Sequence, residues 1–448
     1  MNCKSIVLSI KCITMDRFDF FKCRRKNTPR FGPPILKGFF YSVFFLCANV
    51  LFGQEVAQFS IKNDKEIFYA PVSITLDGLN YNTDKANLVL YEILPQGKKF
   101  ISSQLEAGHS ARLWFILEGT TRPNTKRIFV LKQEESDPLQ PTITARKNHQ
   151  DLSLVKDDRS VFNYRFAMTY PTEGVNPLFR RSGFIHPIWS PGGEMLSRIQ
   201  PPDHYHHYGI WGPWTRTTID GRKVDFWNLA SGQGTVRFAE FLSKTEGSIF
   251  SGFKALQQHI DFGAKGEDQV AMNEILDLRV WNNNNGVWII DYTTTLNSPL
   301  PNGIMLNAYR YGGGLGFRAT EKWHKDNCTV LTSEGRTRID ADGTSARWSI
   351  VEGESDTPEG RSGILFLSHP SNRMHPEPMR VWPMDANGGR GDMFFQFCPI
   401  RHHDWKLEPR QDYTLRYRMI VFDGEMDPQT AEKYWNSFAT MPRVEILK

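Results

Sequence analysis

Short runs of alternating apolar and polar residues, separated by turn-forming residues, fill most of this chain, and they constrain its fold more than anything else. Tyr413-Thr-Leu-Arg-Tyr-Arg-Met-Ile-Val421 alternates with the period of two that puts successive side chains on opposite faces of a strand. Further strands are expected at Ala70–Leu76, Ala86–Tyr91, Ala111–Leu117, Val161–Met168, Gln269–Trp281, Val287–Leu296, Ile304–Tyr311, Gly363–Leu367, Met393–Phe397 and Tyr413–Phe422. Asp77-Gly78 and Pro95-Gln-Gly97 are turn signals between them. One helix stands out: Asp427 is a good N-cap, Pro428 suits the first turn, and Gln429–Phe438 follows. Strands do not alternate with long helices, which argues against a parallel α/β fold, and an all-β architecture is expected. The polar, proline-containing stretch Glu134–Pro141 divides the chain. A small β-sandwich is expected over residues 54–138, and one large antiparallel β-domain over 142–448.

The N-terminus bears on compartment. Nine Lys/Arg against two acidic residues precede an apolar run of 14 residues, Phe39–Phe52. That run falls short of the roughly 20 residues needed to span a bilayer. A basic stretch, a short apolar run and a small residue read as a secretory leader, residues 1–53, cleaved near Gly53–Gln54. Export to the periplasm or surface of a Gram-negative cell is expected, with no later run of spanning length in the mature chain. Removing the leader leaves 45 basic and 47 acidic residues, so the basic balance of the full chain gives no support for a nucleic-acid partner. Of six cysteines, only Cys328 and Cys398 remain, as a pair or as two buried thiols.

Chemistry-bearing residues crowd into Arg180–Trp405. The densest stretch, Pro201-Pro-Asp-His-Tyr-His-His-Tyr-Gly-Ile-Trp-Gly-Pro-Trp214, holds Asp203, His204, His206 and His207 within five residues. If it is extended, His204 and His206 share a face and His207 points away. Such a pair can act as general acid and base, with Asp203 orienting it, or ligate one divalent metal ion with help from His207 or another residue. A loop of structural histidines is the plain alternative. Trp211 and Trp214 could stack on sugar rings, although a single Trp is more often core.

Tyr309-Arg-Tyr-Gly-Gly-Gly-Leu-Gly-Phe-Arg318 lacks the spacing and the following helix of a phosphate loop. Its Arg310 and Arg318 could hold an anionic group such as a uronate, or pair with Glu321 or another acid. The proline-rich loop His369–Pro383 adds His369, His375, Glu377 and Arg380. Glu377 opposite a histidine would make an acid–base pair, and His369, His375 and Arg380, like His186 upstream, are candidate substrate contacts. Signatures of serine hydrolases, zincins, kinases and Walker nucleotide enzymes are absent.

Arg181-Ser-Gly-Phe-Ile-His-Pro-Ile-Trp-Ser-Pro-Gly-Gly193, the Pro201–Trp211 run, Tyr311–Arg318, Leu331-Thr-Ser-Glu-Gly335 and His375–Trp382 resemble the PmoA-like family, over roughly Val155 to Gly424. A methane-oxidising subunit would be an integral membrane protein, and no spanning run follows the leader. The resemblance instead implies a secreted protein of carbohydrate-degrading systems, folded like the antiparallel supersandwich of galactose mutarotase-like proteins, with a sugar cleft that uses His with Glu or Asp. The resulting expectation is an enzyme acting on a glycan by hydrolysis, β-elimination or epimerisation. A non-catalytic glycan-binding protein and a zinc or copper enzyme are the rivals.

Overall fold

In the computed structural model, residues 53–82, 87–137, 139–263 and 266–447 are described. Residues 1–52 of the expected leader, Ala86 at the start of one expected strand and Pro138 at the expected boundary lie outside them. The described chain is nearly all-β, with the one α-helix Pro428–Ala439. No helix among the described residues is long and apolar enough to cross a membrane.

Eight strands form one antiparallel sheet, in the spatial order Gly234–Thr245, Phe250–Asp261, Gln269–Trp281, Trp288–Asn297, Tyr413–Asp423, Arg361–Ser368, Trp348–Glu354, Cys328–Thr332. A second sheet has nine strands: Ser345–Ala346, Glu377–Val381, Phe394–Phe397, Leu315–Arg318, Ile210–Trp211, Phe184–Ile188, Arg159–Arg165, Asp151–Lys156, Ile143–Lys147. Apolar residues of the two sheets make the main core. Ile185, Ile210, Phe317 and Phe395 come from the nine-stranded sheet, and Leu278, Ile290, Phe366 and Met419 from the other. Burying such faces against each other is the main driving force for the fold.

The N-terminal strands form a five-stranded and a three-stranded sheet with a core of their own, including Phe59, Phe115 and Phe129. The last strand of the chain, Arg443–Ile446, pairs antiparallel with Gln54–Lys62, so the small sandwich draws on both ends of the sequence. The helix begins as its sequence dictates: the Asp427 carboxylate accepts from the backbone N–H of Thr430 at 2.9 Å. It packs Ala431 and Tyr434 on the outer face of the eight-stranded sheet, together with Ile116 of the sandwich. Cys328 and Cys398 are separate buried thiols.

Strand alternation gives the nine-stranded sheet two different faces. Ile185, Ile210, Phe317 and Phe395 are cross-strand neighbours facing the core. Their chain neighbours Phe184, Trp211 and Phe394 therefore face outward, where they cluster with Tyr208, Trp227 and Trp382. Arg318, next to Phe317, points to the same side.

Candidate functional site

The outward face of the nine-stranded sheet carries a pocket of about 210 Å³. The chain leading into it forms a hairpin closed by the Ile199–Tyr208 bridge and by a hydrogen bond from the Gln200 N–H to the His207 carbonyl at 2.7 Å. Its tip is turned rather than extended, which corrects the expectation that His207 points away from its neighbours. The His204 N–H reaches the Pro201 carbonyl at 2.9 Å, and the His207 N–H reaches the His204 carbonyl at 3.0 Å. These two successive turns bring all three imidazoles together, with ring centres 4.8 to 5.4 Å apart. Gly209 makes the return possible: its φ is +64°, and a Cβ there would collide with the Ile185 carbonyl oxygen.

Asp203 is the anchor. It pairs with Nδ1 of His204 at 2.8 Å and accepts from Nη2 of Arg318 at 2.7 Å. Burial alone would raise its pKa. The bond to His204 and the charges of Arg318 and Arg198 outweigh that and hold it well below the usual carboxylate range. Arg318 is fully buried, packs its guanidinium 4.6 Å from the Trp382 ring centre, and also donates to Asp392 at 2.8 Å. Asp392 in turn accepts from Arg198, Asn387 and Arg390. So Arg318 finds the acids Asp203 and Asp392 rather than an external anion or Glu321, because alternation turns it onto that cluster.

His206 is pushed down to about 4, chiefly by burial and then by the neighbouring His204. His207, completely buried, is also held well below its usual value for the same leading reason. Both rings are therefore neutral at neutral pH, with lone pairs available. The remaining wall comes from distant parts of the chain. Trp227 and Asn228 follow a turn in which the Asp225 carboxylate accepts from both their N–H groups at 2.8 Å. Tyr309, Arg310 and Tyr311 enter from the glycine-rich segment, and Trp382 from the end of the strand Glu377–Val381. The Tyr311 hydroxyl accepts from Arg380 and from the Trp382 indole, each at 3.1 Å, so Arg380 supports the wall from behind. The glycines there make room for protein groups: a Cβ on Gly313 (φ +67°) would collide with the Trp214 ring, and one on Gly314 (φ +70°) with the Phe397 carbonyl oxygen.

Several expected site residues are elsewhere. Trp211 and Trp214 are each 1% exposed and pack within the protein, so neither offers a stacking face. His186 lies outside the pocket, near Ser197 at 3.0 Å, with its pKa pushed down to about 3 mainly by burial. Glu377 is fully buried and accepts from Ser368, Asn372 and Tyr417 at 2.7 to 3.1 Å. With no cation among those partners, burial lifts its pKa to about 7 against the pull of the three hydrogen bonds. His375 stacks on Trp435 and His369 meets the edge of Phe438, both rings of the C-terminal helix. Tyr309, Asn228 and Asp392 join the site without having been expected there. Tyr309 is within reach of sequence reasoning as the first residue of the glycine-rich motif, whereas Asn228 and Asp392 carry no local signal.

Residues 151–436 match DUF6807, described as a family of unknown function. No curated protein matches the chain. Among solved structures it is similar to an alpha-mannosidase from Enterococcus faecalis V583, at 9% identity and a TM-score of 0.42. It is also similar to a protein in glycosyl hydrolase family 38 from Enterococcus faecalis, at 11% identity and a TM-score of 0.40. Each comparison covers 88% of this chain and 47% of the other, so the chain spans about half the length of these proteins. The pocket itself therefore carries the functional reading.

Proposed function

The chain belongs to DUF6807, and we propose that this member is an exported carbohydrate-active enzyme whose histidine pocket takes one sugar unit. Proton transfer at the histidine cluster would drive hydrolysis, β-elimination or epimerisation of that unit. Export to the periplasm or cell surface rests on the basic leader and its short apolar run.

The observation that carries the reading is the Asp203–His204 pair at an aromatic-walled pocket. Asp203 fixes the tautomer and the direction of the His204 ring, leaving Nε2 for the pocket, as an orienting carboxylate does for an acid–base histidine. Tyr309 and Tyr311, both half-buried, offer ring surface and hydroxyls, while Arg310 offers donors for sugar oxygens. The Asn228 side-chain carbonyl, whose amide N–H groups are held by Asp225 and Thr215, offers an acceptor for a sugar hydroxyl. At about 210 Å³ the cavity lies below the usual range for drug-sized ligands, which suits one ring at the end of a glycan or held at its branch.

The test is a glycan library incubated with the wild type and with His204→Ala, with products read by mass spectrometry and affinity by calorimetry. Turnover of the converted glycan should fall roughly 10²–10⁴-fold in the variant, with affinity changed only a few-fold. A glycan that binds the pocket but is never converted, at any pH or with any added metal, would leave a non-catalytic carbohydrate-binding protein.

A further inference from the structure

We propose that His204, His206 and His207 together hold one divalent cation of the zinc class, with an open coordination position facing the pocket. Each of these residues has a ligand nitrogen within 4.8 Å of those of the other two, and no other such trio of His, Cys, Asp or Glu is found among the described residues. The inference concerns the same pocket and changes the proton carrier: with the ion bound, Nε2 of His204 is a ligand, and a metal-held water takes over the proton transfer. Its evidence does not depend on a sugar.

Three features favour a cation over a merely packed cluster. First, the Nδ1 side of His204 is already committed to Asp203, itself fixed by Arg318, so its Nε2 is the free ligand. A carboxylate behind a histidine is the usual outer support of a metal-bound imidazole. Second, Nδ1 of His207 is buried without a hydrogen-bond partner. The ring is boxed by Trp211, Trp227, Trp382 and Phe394, with centroids 5.1 to 5.6 Å away, and none of these offers it an acceptor or donor along its edge. Burying an imidazole nitrogen unpartnered is unfavourable, and an ion bound to it would remove that cost. Third, the cations nearby do not repel a metal unopposed, because Arg198 and Arg318 are both paired with Asp392 and Asp203.

The donor set names the class of ion. Imidazoles without a carboxylate in the inner set suit zinc and its neighbours, and not calcium or magnesium, which take oxygen ligands. Three protein ligands rather than four are the pattern of a catalytic site that keeps a position for water or substrate. At Zn–N distances of 2.0–2.1 Å, tetrahedral nitrogens sit roughly 3.3 Å apart, so the trio must draw in slightly. His204 and His206, both only partly buried, can do so by rotating about their side-chain torsions. The open position faces Tyr309, Arg310 and Asn228, where a metal-held water would meet a bound ring.

The full chain, stripped with chelator, should take up about one equivalent of Zn²⁺ in equilibrium dialysis without sugar. Co²⁺ in its place should give the intense visible absorption of a tetrahedral site. His204→Ala and His206→Ala should each abolish stoichiometric uptake, and zinc should raise the melting temperature of the wild type but not of these variants. Asp203→Asn should still bind, with affinity weakened about 10–100-fold. Wild-type protein that takes up no more than trace zinc and cobalt, or variants that bind as the wild type does, would overturn the site. Sugar binding measured on the chelated protein tests the carbohydrate reading separately.

Discussion

Two stretches whose sequence sets a carboxyl group beside histidines, at Asp203 and at Glu377, differ in what surrounds the carboxyl in the structure. Asp203 sits between Arg318, Arg198 and His204, is held ionised, and passes its orientation to a ring lining a pocket. Glu377 sits among Ser368, Asn372 and Tyr417, all neutral donors, is sealed from solvent, and has its pKa lifted to about 7. Charged partners keep a carboxylate useful at a surface pocket, whereas neutral donors satisfy a carboxyl that the core has enclosed. Proximity to histidine in the sequence does not distinguish the two.

The comparison breaks most readily at the Asp203 end. Arg318→Met removes a buried cation from between two acids and leaves their charges less compensated. It should destabilise the protein by about 3–5 kcal/mol in denaturant titration at neutral pH. A loss below about 1 kcal/mol would mean that Arg198 and Arg390 suffice to hold the cluster.

The Glu377 end shows in pH dependence. Its folded pKa, about 7, lies above the ordinary value of 4.5, so the folded state holds this proton longer than the unfolded state does. Its contribution is therefore most favourable at and below about pH 4.5, is lost as pH rises toward about 7, and is flat above that, a loss on the order of 3 kcal/mol. Glu377→Gln should remove this slope, so that the variant gains on the wild type across that window. Parallel stability curves would show that Glu377 is not the buried acid described.

A smaller effect sharpens the same point. Ser368→Ala deletes one neutral donor to Glu377 and should cost about 1 kcal/mol. Because that hydrogen bond lowers the Glu377 pKa, its loss should also move the wild-type slope to higher pH. An unchanged slope would detach Ser368 from the carboxyl.

Much of the fold is legible in the sequence where the signal is local. The alternation in Gln269–Trp281 gives the strand its observed bounds, and the Asp427 cap with Pro428 gives the helix start. Ile304–Tyr311 is too long as a strand. The strand ends at Leu306, after which the Asn307 N–H turns to the Arg216 carbonyl and the chain runs into the glycines that pass over Trp214. The histidine stretch is identifiable as a cluster, but its convergence depends on the closure of the hairpin by Gln200 and His207, which alternation cannot show. The roles of the tryptophans are not legible. Trp211 does face away from the main core, as period two requires, yet Tyr208, Trp227 and Phe394 cover it. Pocket walls drawn from Trp227, Tyr309 and Trp382 meet only through strand pairing across more than a hundred residues.

The central claim is that the outward pocket of the nine-stranded sheet, and not the segment from His369 to Glu377, is the working site. Hydrogen–deuterium exchange with and without the best-bound glycan tests it directly. Protection should concentrate in peptides containing His204 to His207, Trp227 to Asn228 and Tyr309 to Tyr311, with His369 to Glu377 unchanged. Protection at His369 to Glu377 with none at the three histidines would contradict it.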